Sequence, residues 1–290
     1  MKKTIISLLT VIGCSVLPFV SCTKKQVAEV DNETRSVVDF AVTHHDFISL
    51  MAEVQHRLAN TPGTGTKLKS SGNYCEAFTL VSGDTAWGSV GHVNPTFTAQ
   101  IGTSTCVSGF ADDQSRRGKI TVYLSDLLQT TGARLIIKVS DYQTDLVKEA
   151  GAAKPRTASC DSIVLTTVSA NSTLSTCSAR LINGVYSPTA SKMNFDLTVQ
   201  FYHLGTNNTA SYCSHYGSVS GTNQSGRKYS VQIPSSTPLV KRRTCNSFDE
   251  GRCELTPEGF NTRLIDFGNG SCDENATFSI NGNIIAFKLK

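Results

Sequence analysis

The segment from residue 193 to residue 201 reads Met193-Asn194-Phe195-Asp196-Leu197-Thr198-Val199-Gln200-Phe201, with apolar and polar side chains in strict alternation. Because successive side chains of a β-strand point to opposite faces, this pattern predicts a strand with one buried face and one face in water. The same reasoning predicts further strands at 119–124, 134–139, 163–168, 228–233 and 284–289. Two Asn-Gly dipeptides between short apolar segments, Asn183-Gly184 and Asn281-Gly282, predict hairpin turns.

Residues 36–60 show a different spacing, in which apolar side chains recur every three or four residues. That period predicts an amphipathic helix with one apolar face, and the following Thr61-Pro62-Gly63 ends it. We expect the helix to pack its apolar face on the β-rich part of the chain. A helix that binds a partner is the alternative.

The predicted fold is mainly β: an N-terminal amphipathic helix followed by one or two disulfide-linked antiparallel β-sandwich domains. A small, polar segment over 148–159 contains Pro155 and is typical of a linker. It divides the strands into β domain 1 over 66–147 and β domain 2 over 160–290.

The first residues have the pattern of a secretory signal, with Lys2 and Lys3 before an apolar run of about 16 residues. Such a run is shorter than the roughly 20 residues that span a bilayer. The stretch ending at Cys22, Phe19-Val20-Ser21-Cys22, resembles the bacterial lipoprotein box, whose cysteine is acylated. We therefore expect a signal peptide over 1–21 and a polar tether over 22–35. A second box that ends at Cys14, and ordinary cleavage that leaves Cys22 a plain thiol, are the alternatives.

The chain has ten cysteines, and eight remain when Cys14 and Cys22 are set aside. An even number of cysteines in an exported protein predicts disulfides, because the compartment is oxidising. No pair has the CxxC spacing of zinc ribbons or redox motifs. A weak internal similarity between 96–106 and 262–272 favours the pairs Cys75–Cys106 and Cys245–Cys272. The candidates are Cys75, Cys106, Cys160, Cys177, Cys213, Cys245, Cys253 and Cys272.

Four features carry a resemblance to a known group of proteins: the leader with Cys22, the helix with Asp39, the segment 106–122 and the tail 266–282. Together they resemble an uncharacterised family of Bacteroidetes outer-membrane and envelope lipoproteins. The resemblance implies a lipid-anchored, β-rich envelope protein that carries fatty acyl groups such as palmitate on Cys22. It supplies no catalytic residues.

The same resemblance bears on location and modification. Lys24 and Lys25 follow Cys22, where surface-displayed lipoproteins of that phylum carry acidic residues. We therefore expect an outer-membrane location, with the surface or periplasmic face undetermined. Thr85, in Asp84-Thr85-Ala86, and Ser162, in Asp161-Ser162-Ile163, match the O-glycosylation sequence of the phylum.

Motifs for catalysis are absent from the sequence, which has no GxSxG elbow, HExxH pair, phosphate-binding glycine loop or dinucleotide fingerprint. We therefore predict no catalytic, cofactor-binding or metal site. His45 and His56 lie about 16 Å apart along a helix, too far to share an ion. These two residues and His44 are interpreted as solvated or capping histidines.

Three other groups of polar residues have a simpler interpretation than a functional site. In Cys213-Ser214-His215, we expect Cys213 to be half of a disulfide rather than a nucleophile. Arginines beside Asp112 and Asp113 would keep these carboxylates ionised. Oxygen ligands for calcium are offered by Asp266, Asn269 and Asp273, but a turn stabilised by Asx side chains and positive-φ glycines explains them better.

The formal net charge of +4 is too small for a nucleic-acid-binding surface. The sequence thus predicts a non-enzymatic envelope lipoprotein with a structural or interaction role. Its expected partners are membrane lipid, through Cys22, and an envelope protein or a glycan. A glycan- or other ligand-binding module is the alternative, with Trp87, Tyr74, Tyr202, Tyr212 and Tyr216 as stacking platforms. A hydrolase without a motif is a third hypothesis.

Overall fold

A computed structural model describes residues 31–59, 77–82, 96–101, 115–145, 156–187, 189–202 and 212–289. In this part of the chain there are one helix and fourteen strands. They are α1 (Arg35–Ala59), β1 (Ala77–Ser82), β2 (Thr96–Ile101), β3 (Ser115–Leu124), β4 (Arg134–Asp145), β5 (Arg156–Ala170), β6 (Leu174–Ser187), β7 (Ser191–Tyr202), β8 (Tyr212–Thr222), β9 (Lys228–Ile233), β10 (Leu239–Arg242), β11 (Glu250–Pro257), β12 (Arg263–Asn269), β13 (Asn275–Ile280) and β14 (Asn283–Lys288).

The strands form one antiparallel sheet in which chain neighbours are mostly hydrogen-bonded neighbours, from β1 at one end to β14 at the other. The exception is at β8, where β10 pairs with residues 212–215 and β9 pairs with residues 217–222. Both short strands also pair with β11. The prediction of a mainly β, antiparallel protein with an N-terminal helix and a disulfide is confirmed.

The sheet continues across the predicted domain boundary. β4 pairs with β5 from Arg134 opposite Thr166 to Thr144 opposite Arg156. The prediction of a linker over 148–159 is therefore wrong for residues 156–159, which begin β5, and residues 148–155 lie outside the described residues. A polar, proline-containing segment marks a chain connection, but it does not tell whether the strands on either side pair with each other.

Alternation of side chains correctly identified the long strands. In β7 the residues from Ser191 to Phe201 at odd positions are buried and face the helix side of the sheet. Asn281-Gly282 forms the predicted hairpin, with φ of 51° and 81°, and places Ile280 opposite Asn283.

The second predicted hairpin, at Asn183-Gly184, is wrong. β6 passes straight through both residues, and Asn183 takes its positive φ of 52° in a bulge against β7. A Cβ atom added to Gly184 would lie 2.9 Å from the Met193 carbonyl oxygen and 3.1 Å from a ring carbon of Phe47 on α1. The glycine therefore permits close contact between strand and helix, not a reversal of the chain.

The helix has nearly its predicted ends, but its surroundings differ from the expectation. Successive residues of a helix point about 100° apart, and the side chains of residues 43–51 are all buried. A helix buried around its whole circumference is a core element, not an amphipathic surface helix. It forms one hydrophobic core with strands from β3 to β14.

Candidate functional site

Two histidines meet between the helix and the sheet. His44 of α1 and His215 of β8 are fully buried, and their Nε2 atoms lie 2.9 Å apart. Burial lowers the pKa of His215 to about 3 and, together with the neighbouring His215 and His45, holds the pKa of His44 well below its usual value. The two rings are therefore neutral, and one donates a hydrogen bond to the other. The prediction of solvated or capping histidines is wrong for His44 and His45, and the side chain of His56 lies outside the described residues.

A buried carboxylate on the next turn of the helix has several partners. Asp46 Oδ2 accepts a hydrogen bond of 2.6 Å from the Tyr186 hydroxyl of β6, and its Oδ1 lies 3.3 Å from His45 Nδ1. Burial alone would raise the pKa of Asp46, but the nearby charge of Arg156 and these two partners lower it well below the usual value. Asp46 is thus a permanently ionised group in the core.

A row of three side chains on α1 resembles the catalytic triad of a hydrolase: Ser49 contacts His45, and His45 contacts Asp46. Ser49 Oγ lies 3.2 Å from His45 Nε2, and His45 Nδ1 faces Asp46. All three residues are at most 5% exposed. A substrate carbonyl must approach a nucleophile to about 3–3.5 Å, and a hydroxyl enclosed by the core gives it no such approach. The arrangement fixes the helix against β6.

Four predicted disulfide candidates are free thiols: Cys160, Cys177, Cys213 and Cys253. The disulfide prediction is wrong for them because strand pairing places no two of them opposite each other; Cys177 faces Val199, and Cys213 faces Phe201. Burial raises the pKa of Cys160 and Cys213 to about 12. A raised pKa disfavours the thiolate, so Cys213 beside His215 is a core residue and not an activated nucleophile.

The predicted pair Cys245–Cys272 is a disulfide. Cys245 lies in the turn between β10 and β11 and is buried, whereas Cys272 lies between β12 and β13 and is exposed. The Cys245 and Cys272 sulfurs and an Asp249 carboxylate oxygen lie within 4.8 Å of one another. While the two sulfurs are bonded to each other they are not thiolate ligands, so the three atoms form no metal site in this state.

Asp249 is the residue at this corner that sequence reasoning missed. Its carboxylate forms an ion pair with Arg242 and is fully buried, and Oδ1 has no hydrogen-bond partner among the described residues. Burial raises the pKa of Asp249, and Arg242 offsets this effect only in part. The only sequence signal was the spacing of four residues between Cys245 and Asp249.

The acidic tail forms turns, as the preferred interpretation predicted. Asp266 Oδ1 accepts a hydrogen bond of 2.9 Å from the backbone of Gly268, and Asp273 Oδ1 accepts one of 3.1 Å from the backbone of Asn275. Gly268 has a positive φ of 101°. These carboxylates stabilise the backbone, which confirms the prediction of Asx turns.

Two of the candidate tyrosines lie side by side on the face of the sheet away from the helix. Tyr202 of β7 and Tyr212 of β8 are opposite each other, and their rings stack with centroids 4.3 Å apart. The Tyr202 hydroxyl donates to Gln200 Oε1 at 3.1 Å. Because the rings cover each other, each has at most one face left for a ligand.

Several predicted residues cannot be compared with the structure. Ser162 is half-buried within β5, opposite Ile182 of β6, and no modification is present to compare with the prediction. The others lie outside the described residues: Cys14, Cys22, Cys75, Cys106, Thr85, Asp112, Asp113, Tyr74 and Trp87.

Comparison with known proteins identifies no relative. No protein-family model matches the chain, and no significant match was found among curated proteins or solved structures. Within the described residues, no helix has the length and apolar character needed to cross a membrane.

Proposed function

We propose that this chain is a lipid-anchored cell-envelope protein of the outer membrane with a non-enzymatic structural or interaction role. In this proposal the acyl groups on Cys22 hold the protein at the membrane, and residues 22–35 tether the folded part. Acyl chains contribute about 0.8 kcal/mol for each buried CH₂ group, so two or three chains give stable attachment.

The observation that carries the proposal is the Cys245–Cys272 disulfide, which links two turns of the sheet. Disulfides persist in exported proteins and are rare in reducing cytoplasm. The disulfide therefore supports export, which a lipoprotein signal requires.

The buried helix supports an interaction role. Its side chains form one hydrophobic core with the sheet, and its polar groups contact strand residues such as Tyr186 and His215. The described groups that resemble catalytic residues are enclosed in this core. Contacts with a partner would therefore be made by the outer surface.

Lipid attachment is tested by expressing the full chain in a Bacteroidetes host with an alkyne analogue of palmitate. We expect the wild-type protein to incorporate the label and to sediment with membranes, and Cys22→Ser to lose both properties. Cys14→Ser is the matched control and should behave as wild type. Label that persists in Cys22→Ser and disappears in Cys14→Ser would place the anchor at Cys14, and an unlabelled wild type would overturn the proposal.

The alternative, a glycan- or other ligand-binding module, is favoured by the placement of Tyr202 and Tyr212 on one outer face. Arg242, opposite Tyr212 on β10, adds a hydrogen-bond donor beside the rings. If this surface binds envelope polysaccharide, Tyr212→Ala weakens binding in a pull-down with the purified polysaccharide, whereas Tyr123→Ala on β3 does not. Equal binding by both variants would contradict the alternative.

A further inference from the structure

The two cysteines of the Cys245–Cys272 disulfide differ in their exposure to solvent. Cys272 is exposed in the turn between β12 and β13, and Cys245 is 1% exposed in the turn between β10 and β11. Thiol–disulfide exchange proceeds by attack of a thiolate on an accessible sulfur, with departure of the other. An external thiolate therefore attacks the sulfur of the exposed Cys272, and the sulfur of the buried Cys245 departs.

A proton acceptor lies beside the buried sulfur. Asp249 Oδ2 is 3.5 Å from Cys245 Sγ, and the side chain is fully buried. Arg242 binds Oδ2, while Oδ1 has no hydrogen-bond partner among the described residues. A buried carboxylate at this distance can take a proton from a thiol and return it.

Contacts other than the S–S bond hold the two turns together. The Gly270 backbone N–H donates to the Asp249 carbonyl oxygen at 2.7 Å, and Ser247 Oγ donates to the Asp273 carbonyl oxygen at 2.8 Å. The two sulfurs therefore remain neighbours after reduction, which allows the disulfide to form again.

We propose that Cys245–Cys272 is a redox-active disulfide that exchanges with small thiols and disulfides of the glutathione class. Cys272 is the sulfur that reacts with the external compound, and Asp249 is the base that serves Cys245. This inference starts from the same disulfide that supports export, but it does not depend on lipid attachment, and a failure of thiol exchange in the test below is distinguishable from a failure of palmitate labelling.

The oxidation of the reduced pair balances in two steps. The Cys272 thiolate attacks glutathione disulfide, forms a mixed disulfide and releases one glutathione thiolate. Asp249 then accepts the Cys245 proton while Cys245 Sγ attacks Cys272 Sγ and the second glutathione leaves as a thiolate, which takes up the proton that Asp249 gives back. Two electrons pass from the protein thiols to glutathione disulfide.

The other described thiols, Cys160, Cys177, Cys213 and Cys253, are less exposed to solvent than Cys272. Cys177, Cys213 and Cys253 are buried, and Cys160 is half-buried. Burial raises the pKa of each of these thiols, so they are poor nucleophiles. Cys272 is the only exposed cysteine in the part of the chain that the structure describes.

The test begins with the full chain, reduced under conditions that keep its circular dichroism unchanged, and mixed with glutathione disulfide. Acid-quenched samples are analysed by mass spectrometry, and peptide mapping locates each adduct. In wild type we expect a transient adduct on Cys272, followed by closure of the disulfide. In Asp249→Asn the adduct should accumulate, because an amide cannot accept the Cys245 proton. General base catalysis contributes about 10²–10⁴-fold, so closure should be slower by at least about tenfold.

Two further variants complete the design. Asp196→Asn removes an exposed carboxylate on β7 that has no described contact with either sulfur, so it should close as fast as wild type. Cys245→Ser should retain a stable adduct on Cys272, and this result decides the order of the steps even if Asp249→Asn does not fold. Closure of Asp249→Asn at the wild-type rate, or no adduct on Cys272 in Cys245→Ser, would overturn the proposal.

Discussion

Asp46 and Asp249 are both buried carboxylates next to a positive charge, yet their pKa values move in opposite directions. Asp46 accepts hydrogen bonds on both oxygens, from Tyr186 and from the His45 side, and its pKa is lowered. Asp249 has one oxygen without a described partner, and its pKa is raised. For Asp46 the charge of Arg156 and the hydrogen bonds from His45 and Tyr186 together outweigh the effect of burial, whereas for Asp249 burial outweighs the pairing with Arg242. The balance between desolvation and the nearby charges and hydrogen bonds thus decides whether the pKa of a buried acid falls or rises.

The largest expected effect follows from removal of the well-satisfied carboxylate. Asp46→Ala leaves the Tyr186 hydroxyl and the His45 side chain in the core without their acceptor. Hydrogen bonds to a charged group contribute about 1.5–3 kcal/mol each, so the loss of both should cost about 3–5 kcal/mol, and urea unfolding at pH 7 measures this loss. Tyr186→Phe, which removes one donor, should cost about 1.5–3 kcal/mol. A change below about 1 kcal/mol in Asp46→Ala would show that the carboxylate is not held as described.

An intermediate effect is expected from the two neutral histidines, His44 and His215. The pKa of His215 is about 3 in the folded protein and 6.5 when unperturbed, so its stability contribution is complete above 6.5 and is lost as the pH falls below it. At pH 5 the loss from His215 alone is about 2 kcal/mol.

This acid sensitivity is measured as the free energy of unfolding between pH 7 and pH 5. His215→Phe should have a shallower slope over this interval, because one of the two groups that take up protons on unfolding is gone. A wild-type protein whose stability is constant over the interval would contradict the buried, neutral pair.

The smallest effect on stability is expected at Asp249. Its burial and its ion pair act in opposite directions, and the Arg242 side chain is 37% exposed, so solvent screens the pair. Asp249→Asn should change the free energy of unfolding at pH 7 by less than about 1 kcal/mol, as measured by urea unfolding. A loss of unfolding free energy as large as that of Asp46→Ala would show that the two carboxylates contribute equally to stability, and would contradict the difference proposed between them.

Local sequence patterns predicted the individual strands and the helix, but not how these elements are brought together. The alternation in β7 and the turn at Asn281-Gly282 depend on neighbouring residues and were predicted correctly. The identical dipeptide Asn183-Gly184 became a bulge, because the sheet brings Phe47 and Met193 against Gly184. Such long-range contacts leave no local pattern.

The surroundings of the candidate functional residues also depend on long-range contacts that the local sequence does not reveal. Asp39, Thr43, Asp46, Ser49 and Glu53 form a polar stripe that indicates a solvated helix face. Their burial depends on residues that are far away in the chain, such as Tyr186, which is 140 positions from Asp46, and Arg243, which is 190 positions from Glu53. The Cys245–Cys272 pair was predicted from an internal similarity, whereas the role of Asp249 required its distance to the sulfur.

The position of the buried helix at the start of the chain has a consequence for biosynthesis. α1 leaves the ribosome before the strands that enclose it, since His44 meets His215 only 171 residues later. Until β8 arrives, Phe40, Phe47 and Met51 have no complete cover. Non-local contacts of this kind make folding slow and leave apolar surface open to aggregation. The nascent chain is therefore expected to depend on holding chaperones more than its finished fold suggests.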